Sequence, residues 1–158
     1  MKIPDKLKIY RKDRLNQRAP GGGVSILVSK KFCSSDLDIM ELNNHHFEDS
    51  VWCEIKCEGR PIIVGNVYRA PRSTNENNDL LLDLFSVCDR YSGRAQIIVC
   101  GDFNYGAIDW ENNCVDSEGQ HLAAATKFIG ILYSAIEAEL CSVQFYELSN
   151  VLILVQLK

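Results

Sequence analysis

The residues best suited to chemistry in this sequence are Asp102 and Asn104, which follow the apolar run at residues 97–100. An apolar run without alternation is typical of a strand covered on both faces. Because side chains in a strand repeat with a period of two, the carboxylate and the amide leave its end in the same direction. Such a pair suits metal-assisted chemistry on a phosphate, because a carboxylate can bind a hard cation or orient water and an amide can position an oxygen. The alternative is an Asx-rich turn that only closes the strand, since Asp and Asn also favour turns.

The segments before this strand predict the elements that would position the pair. Residues 21–23 are a glycine triplet in front of a strand pattern at residues 24–28. Phosphate-binding loops follow a strand and open a helix, so we interpret the triplet as a flexible lead-in to a strand. Residues 51–68 predict a β-hairpin. Apolar residues at helical spacing predict an amphipathic helix from about residue 78 to residue 91.

The later segments extend this pattern. The buried strand at residues 96–100 is followed by a second predicted helix at about residues 118–139 and a predicted buried strand at residues 151–157. The order of hairpin, helix, strand, helix and strand predicts an α/β fold.

Composition limits the class of protein. The chain has 158 residues, of which 46% are hydrophobic and 24% are charged, which fits one globular domain or part of one. No apolar run is long enough to span a membrane, and the first residues lack the apolar region of a secretory signal. The seven cysteines are irregularly spaced, and we expect free buried thiols in a reducing, intracellular compartment, the nucleus or the cytoplasm. Cys53 and Cys57 lack the second ligand pair that structural zinc needs.

Charge is distributed unevenly along the chain. Residues 1–31 carry nine Lys or Arg and two Asp, although the whole chain has a formal net charge of −4. A basic N-terminal segment can bind the phosphates of a nucleic acid. The alternative interpretation is a solvated terminus that binds nothing. The acidic remainder argues against a protein that binds nucleic acid over its whole surface.

Short motifs in one order carry a resemblance to a known family. They are Asp13–Arg14, Gly21–Val24, Val67–Pro71, Gly101–Asn104 and Ile108–Trp110. Together they resemble the endonuclease/exonuclease/phosphatase superfamily, and more closely the endonuclease domain of non-LTR retrotransposon polyproteins, which is similar to apurinic endonucleases. The resemblance implies part of a four-layer α/β sandwich, hydrolysis of phosphodiester bonds in DNA, and Mg²⁺ or Mn²⁺ as the cofactor. It implies no membrane partner and no small-molecule cofactor.

The resemblance also implies roles for individual residues. Asp102 would orient or deprotonate the attacking water and is a weak, indirect candidate for metal binding. Asn104 would hold a phosphate oxygen or that water, and Tyr68 would donate a hydrogen bond to the charge that develops on the phosphate. For Tyr68 the alternative is packing on the sheet edge. Arg69 is a candidate for phosphate contact, and an ordinary solvated arginine is the alternative.

The sequence departs from the family pattern in three ways. The metal-binding Glu and the catalytic His of the family have no counterpart here, and Ile153 occupies a position where the family has Asp. The default interpretation of His45, His46 and His121 is that they are exposed and solvated. We therefore predict a fragment, with a basic lead-in at residues 1–20 and a partial domain at residues 21–158, that is catalytically impaired. One alternative is a non-catalytic nucleic-acid-binding remnant that uses the basic N-terminal segment. Another is a phosphomonoesterase for a small molecule.

Overall fold

Two parallel strands form the centre of the fold. The computed structural model describes residues 6–14, 22–105, 108–109, 114–115, 126, 142–148 and 151–157. Strand β5 (Ile62–Tyr68) runs parallel to β6 (Gln96–Asp102), and their Cα partners extend from Ile62 opposite Gln96 to Tyr68 opposite Asp102. The predicted strand at residues 96–100 is confirmed and continues through Gly101 and Asp102, but its residues alternate between buried and partly exposed, so the prediction that both faces are fully covered is wrong. Its extension carries Asp102 to the carboxyl edge of the sheet.

Four further strands complete a six-stranded sheet around this pair. They are β3 (Ser34–Asp36), β4 (Ser50–Ile55), β9 (Ser142–Leu148) and β10 (Val151–Leu157), and the spatial order is β3-β4-β5-β6-β10-β9. All neighbours except β5 and β6 are antiparallel. The predicted hairpin at residues 51–68 is confirmed as β4 and β5, and the predicted strand at residues 151–157 is confirmed as β10. The sheet is thus mixed, with its parallel pair next to the candidate residues.

A separate hairpin packs on one face of this sheet. Strand β1 (Leu7–Asp13) pairs antiparallel with β2 (Gly23–Ser29). Buried side chains of both strands meet residues of β4 in an apolar cluster formed by Tyr10, Val24, Val28, Val51 and Cys53. The sequence patterns predicted the strand of β2 but not that of β1. The boundary at residue 20 stays a prediction.

A long helix covers the opposite face of the sheet. Helix α2 (Asn75–Tyr91) buries an apolar stripe against β5 and β6, and this stripe includes Leu81, Leu84, Phe85, Val87 and Cys88. The Thr74 side chain caps the helix by accepting a hydrogen bond from the Asn77 amide. Because of this cap, the helix begins three residues before the predicted start at Asn78. The hairpin, the sheet and the helix form an α/β arrangement, as predicted.

The remaining elements are short. Helix α1 (Met40–Asn43) precedes β4, and β7 (Ile108–Asp109) pairs with β8 (Cys114–Val115). The second predicted helix, at residues 118–139, lies outside the described residues apart from residue 126. Within the part of the chain that the structure describes, no helix has the length and apolar character needed to cross a membrane.

Candidate active site

Tyr68 and Asp102 lie side by side at the carboxyl edge of the parallel pair. They are Cα partners at the last position of β5 and of β6. Partners in adjacent strands point to the same face of a sheet, and this face carries the β1–β2 hairpin, because Tyr68 packs against the hairpin's apolar cluster. Both side chains are partly exposed. The structure therefore brings together the phenol and the carboxylate that the sequence singled out.

The two residues share a cavity of about 510 Å³. Its lining comes from residues 23–26 of β2, residues 66–68 of β5 and residues 100–102 of β6. Within the described residues, the Tyr68 hydroxyl forms no hydrogen bond, and the Asp102 carboxylate accepts one, at Oδ1 from the Asn104 amide (3.1 Å). Beside this cavity, the Tyr68 hydroxyl can donate a hydrogen bond to a phosphate oxygen. The second Asp102 carboxylate oxygen can accept one from a water.

Asn104 fixes the edge of the sheet and does not line this cavity. Its backbone amide donates to Asp102, which makes the Asx turn that was the alternative interpretation of these residues. Its Nδ2 donates to the Arg69 carbonyl oxygen (2.8 Å), so one amide hydrogen is committed to the backbone of the chain leaving β5. Asn104 has φ +47°, a left-handed conformation that Asn tolerates better than most residues. The Asx-turn interpretation is therefore confirmed, with Asn104 as a structural residue, and the catalytic interpretation of Asp102 stays a prediction.

The close approach of β5 and β6 depends on Gly101. Its φ is +155°, and a Cβ at this position would overlap the carbonyl oxygen of Val67. A side chain there would separate the strand ends or twist them. The glycine in the Gly101–Asn104 motif thus allows Tyr68 and Asp102 to sit as neighbours.

Arg69 lies inside the protein, with 0% of its surface exposed, so the interpretation of Arg69 as a solvated arginine is wrong. Its Nε donates to Asn78 Oδ1 (2.7 Å), and its Nη1 donates to the carbonyl oxygens of Phe103 (3.2 Å) and Asn104 (2.9 Å). The guanidinium also lies over the Tyr105 ring, 4.0 Å from its centroid, and burial lowers the pKa of the Arg69 guanidinium. A direct phosphate contact needs an accessible guanidinium, whereas these contacts join β5 to the segment after β6.

Three polar residues near the cavity were not predicted as site residues, although Arg14 belongs to a motif that the sequence showed. Arg14 forms a two-point ion pair with Asp49, at 2.9 Å through Nε and 2.8 Å through Nη2, and its guanidinium lies 5.6 Å from the Tyr68 ring centroid. Asn66 lines the cavity, and its Nδ2 donates to the Ser25 carbonyl oxygen (2.9 Å). The period of two on β5 would have placed Asn66 on the face of Tyr68. No local pattern connects Arg14 with Asp49.

The cavity offers few donors for the Mg²⁺ or Mn²⁺ that the resemblance implies. Among the described residues, no three side chains of His, Cys, Asp or Glu come together as a metal site. Asp102 is the one carboxylate in the described lining, and Mg²⁺ is held through one or two carboxylates together with waters and substrate phosphates. The residues present therefore do not by themselves fit a metal cage.

The described histidines lie away from the cavity. His45 Nε2 is 3.1 Å from Asp83 Oδ2 on α2, and only 7% of its side chain is exposed. The interpretation of His45 as solvated is therefore wrong, whereas His46 is exposed as expected. The side chain of His121 lies outside the described residues.

A family model and solved structures match this chain. The family described as endonuclease-reverse transcriptase matches residues 62–132, which include Tyr68, Asp102 and Asn104. Among curated proteins there is no significant match.

The structural likenesses extend over more of the chain than the family match. The endonuclease domain of TRAS1, a telomere-specific non-LTR retrotransposon, has a TM-score of 0.54 and 12% identity over 96% of this chain and 67% of that one. Mannosyl-6-phosphatase of Bacteroides thetaiotaomicron has a TM-score of 0.53 and 14% identity over 96% of this chain and 63% of that one. At these identities the likeness shows the fold.

A lower-scoring match shows how much of a longer protein this chain spans. TDP2 of Caenorhabditis elegans is 22% identical with a TM-score of 0.41, and the match covers 62% of this chain and 30% of TDP2. The chain thus spans less than a third of that relative's length. Residues 62–132 are similar to the endonuclease-reverse transcriptase family, and the fold of the chain is similar to that of the TRAS1 endonuclease domain.

Proposed function

We propose that this chain contributes to the hydrolysis of phosphodiester bonds in DNA, with Tyr68 and Asp102 as its catalytic residues. The observation that carries the proposal is their pairing across β5 and β6 beside a shared cavity of about 510 Å³. The family match over residues 62–132 supports the reaction class, and the retrotransposon-type motifs support DNA as the substrate. Tyr68 and Asp102 could also act on other phosphate esters, but the sequence motifs support those substrates less than they support DNA.

The proposed chemistry uses groups of known position. Asp102 has one carboxylate oxygen fixed by the Asn104 amide, which leaves the other to take a proton from water. The water oxygen then forms a bond to phosphorus as the bond to the leaving oxygen breaks with its electron pair. Tyr68, with its hydroxyl free of other partners among the described residues, donates a hydrogen bond to the charge that develops on the phosphate. Asn104 and Arg69 keep the two strand ends together.

Enzymes of this type are generally metal-dependent, and we propose Mg²⁺ or Mn²⁺ as the cation. Among the described residues, Asp102 is the carboxylate that would contribute to holding such an ion, which would stabilise charge on the phosphate. The impairment predicted from the sequence remains part of the proposal, because a single carboxylate faces the described part of the cavity. Hydrolysis should therefore be slow, and slowest for a substrate whose leaving group needs a proton.

Bis(p-nitrophenyl) phosphate is a diester whose leaving group departs as a stable anion, without a proton donor. With Mg²⁺ or Mn²⁺, we expect this chain to hydrolyse it measurably and to nick supercoiled DNA far more slowly. Asp102→Asn should lower the diester rate on the order of 100-fold, because it removes the base.

The control is Asp89→Asn, which changes an exposed carboxylate on α2 and should leave the rate unchanged. Absence of diester hydrolysis, or hydrolysis that Asp102→Asn does not reduce, would contradict the proposal. A rate that is higher with p-nitrophenyl phosphate, a monoester, would favour the phosphomonoesterase alternative.

The non-catalytic DNA-binding alternative has less structural support. On β1, the Lys8 ammonium donates to the Ser34 carbonyl oxygen, and Arg11 pairs with Asp13. Arg14, just after β1, pairs with Asp49. The two ion pairs partly neutralise the basic segment, and the Lys8 contact keeps its charge. The alternative predicts DNA binding that weakens with salt, survives Asp102→Ala and falls when Lys8, Arg11, Lys12 and Arg14 are neutralised together.

A further inference from the structure

The Asp13–Arg14 motif and the glycine triplet are features of the sequence that the proposed chemistry does not use. Arg14 directly follows β1, and Gly22 directly precedes β2. A Cβ at Gly22 would lie 3.3 Å from Arg14 Nη1, and Gly22 has φ +113°. Because Gly22 has no side chain, it leaves room for the Arg14 guanidinium. The glycine triplet and the Asp13–Arg14 motif therefore lie next to each other in the structure.

The Arg14 guanidinium has a fixed orientation. Asp49 accepts from both Nε and Nη2, and this pair spans 35 residues of sequence. The Arg14 side chain is 35% exposed and the Asp49 side chain 20%, so water screens the pair only in part. A two-point contact between a planar guanidinium and a carboxylate restricts orientation as well as distance. The hydrogen bonds that Arg14 donates to Asp49 raise the pKa of the Arg14 guanidinium, whose charge is permanent at neutral pH.

This pair holds Tyr68 at two points. The Asp49 carbonyl oxygen accepts the Tyr68 backbone amide at 2.9 Å, which fixes the main chain at the end of β5. The Asp49 carboxylate holds Arg14, whose guanidinium carbon is 5.6 Å from the Tyr68 ring centroid, within the range of a cation–π contact. Asp49 thus fixes the Tyr68 backbone directly, and it positions the Tyr68 ring indirectly, through Arg14.

We propose that Arg14, oriented by Asp49, is a positioning residue that holds the Tyr68 phenol towards the phosphate site. The proposal rests on the catalytic role proposed for Tyr68. The competing interpretation is that the Arg14–Asp49 pair only fastens the β1–β2 hairpin to the sheet. The two differ in what happens when the Tyr68 hydroxyl is removed.

A double-mutant cycle separates them. Arg14→Met should lower kcat for bis(p-nitrophenyl) phosphate about fivefold with KM little changed. In a Tyr68→Phe background, Arg14→Met should leave kcat unchanged, because the hydroxyl that it positions is already absent. Any loss of thermal stability from Arg14→Met should be the same in both backgrounds. An equal fold-loss of kcat with and without the Tyr68 hydroxyl would overturn the proposal.

Two further variants keep the test decisive. Arg11→Met removes an exposed arginine of β1 whose partner, Asp13, is also exposed, and it should leave kcat unchanged. If Arg14→Met does not fold, Asp49→Asn preserves the backbone acceptor for Tyr68 and loosens only the Arg14 contact. It should then show the same dependence on the Tyr68 hydroxyl.

A spectroscopic measurement does not depend on activity. The chain is labelled with fluorotyrosine, and Tyr68→Phe identifies the resonance of residue 68. We expect Arg14→Met and Asp49→Asn to shift or broaden this resonance and Arg11→Met to leave it in place. An unmoved resonance would overturn the positioning role, whereas a moved resonance without hydrolysis would contradict the proposed function alone.

Discussion

Arg69 and Asn104 are hydrogen-bonded to each other in both directions. Asn104 Nδ2 donates to the Arg69 carbonyl oxygen at 2.8 Å, and Arg69 Nη1 donates to the Asn104 carbonyl oxygen at 2.9 Å. These bonds tie the chain that leaves β5 to the chain that leaves β6. The Arg69 amide adds a third bond, to the Asp102 carbonyl oxygen, at 2.8 Å. The separation of Tyr68 and Asp102 is therefore set by partly buried contacts just beyond them.

Removal of the Arg69 side chain should destabilise the protein. Arg69→Met leaves the carbonyl oxygens of Phe103 and Asn104 without this donor in a buried place, and we expect a loss of about 3 kcal/mol in the free energy of unfolding. Urea unfolding followed by circular dichroism measures it. Arg72→Met, at an exposed position nearby, is the control and should change stability by less than about 0.5 kcal/mol. Equal stability of the two variants would show that the Arg69 contacts are dispensable.

A side chain at Gly101 should be poorly tolerated. Gly101→Ala places a methyl group against the Val67 carbonyl oxygen, and we expect a loss of at least about 2 kcal/mol in thermal unfolding. Gly93→Ala is the matched control, because a Cβ at Gly93 meets nothing within 4 Å. A Gly101→Ala variant as stable as Gly93→Ala would contradict the close approach of β5 and β6.

The cap of α2 predicts a specific pH dependence. Hydrogen bonds from its own backbone amide and from the Thr74 side chain lower the pKa of Glu76 from its ordinary value of 4.5. A carboxyl whose pKa is lower in the folded state stabilises the protein above its unfolded pKa, and this contribution is lost as the pH falls through the folded pKa.

Thr74→Ala should therefore act in two ways. It should cost about 1 kcal/mol at neutral pH through loss of the cap, and it should flatten the acid dependence of stability below pH 4.5. Denaturant unfolding across the acid range measures both effects. Thr74→Ser retains the hydroxyl and should behave like the parent chain. An unchanged acid slope in Thr74→Ala would exclude the Thr74–Glu76 contact.

The cysteines should react with alkylating reagents in a fixed order. Burial raises the pKa of the Cys53 thiol to about 11 and that of Cys88 to about 12, whereas Cys33 and Cys57 are exposed. At about pH 8, iodoacetamide should modify Cys33 and Cys57 well before Cys53 and Cys88, because the thiolate is the reactive form. Peptide mass mapping over time gives the order. Early modification of Cys88 would contradict the packing of α2 on the sheet.

The expectation of buried thiols is thus confirmed for part of the described cysteines. Cys53 and Cys88 are buried and Cys100 is half-buried, but Cys33 and Cys57 are exposed. Cys33 precedes the three-residue strand β3, and Cys57 follows β4 in the turn of the hairpin. Composition alone does not distinguish a turn cysteine from one within a buried strand.

Much of the central sheet could be predicted from local patterns. The apolar run before Asp102 indicated β6, and the alternation and turn at residues 51–68 indicated the hairpin of β4 and β5, because burial on one or both faces leaves a direct mark on the sequence. The sequence of strand β1 has a weaker strand pattern. Its sequence from Leu7 to Asp13 is mostly charged and polar, and its pairing with β2 depends on a partner outside the local window.

The site could be predicted less completely, for a related reason. Asp102 was predicted because it ends a recognisable strand, and Tyr68 because the motif Val67–Pro71 resembles one of the family. The burial of Arg69 was not found, because it depends on carbonyl oxygens 34 and 35 residues later in the chain. The partnership of Arg14 with Asp49 is equally distant in sequence. Contacts of this kind arise from the packing of elements, which no local pattern records.

The most direct measurement of the central claim is a double-mutant cycle on Tyr68 and Asp102, with bis(p-nitrophenyl) phosphate hydrolysis in Mg²⁺ as the readout. If both side chains act on one phosphate, Tyr68→Phe should cost about 10-fold, Asp102→Asn on the order of 100-fold, and the double variant much less than the product of the two. A Tyr68→Phe variant with unchanged activity, or losses that multiply fully, would contradict a shared site.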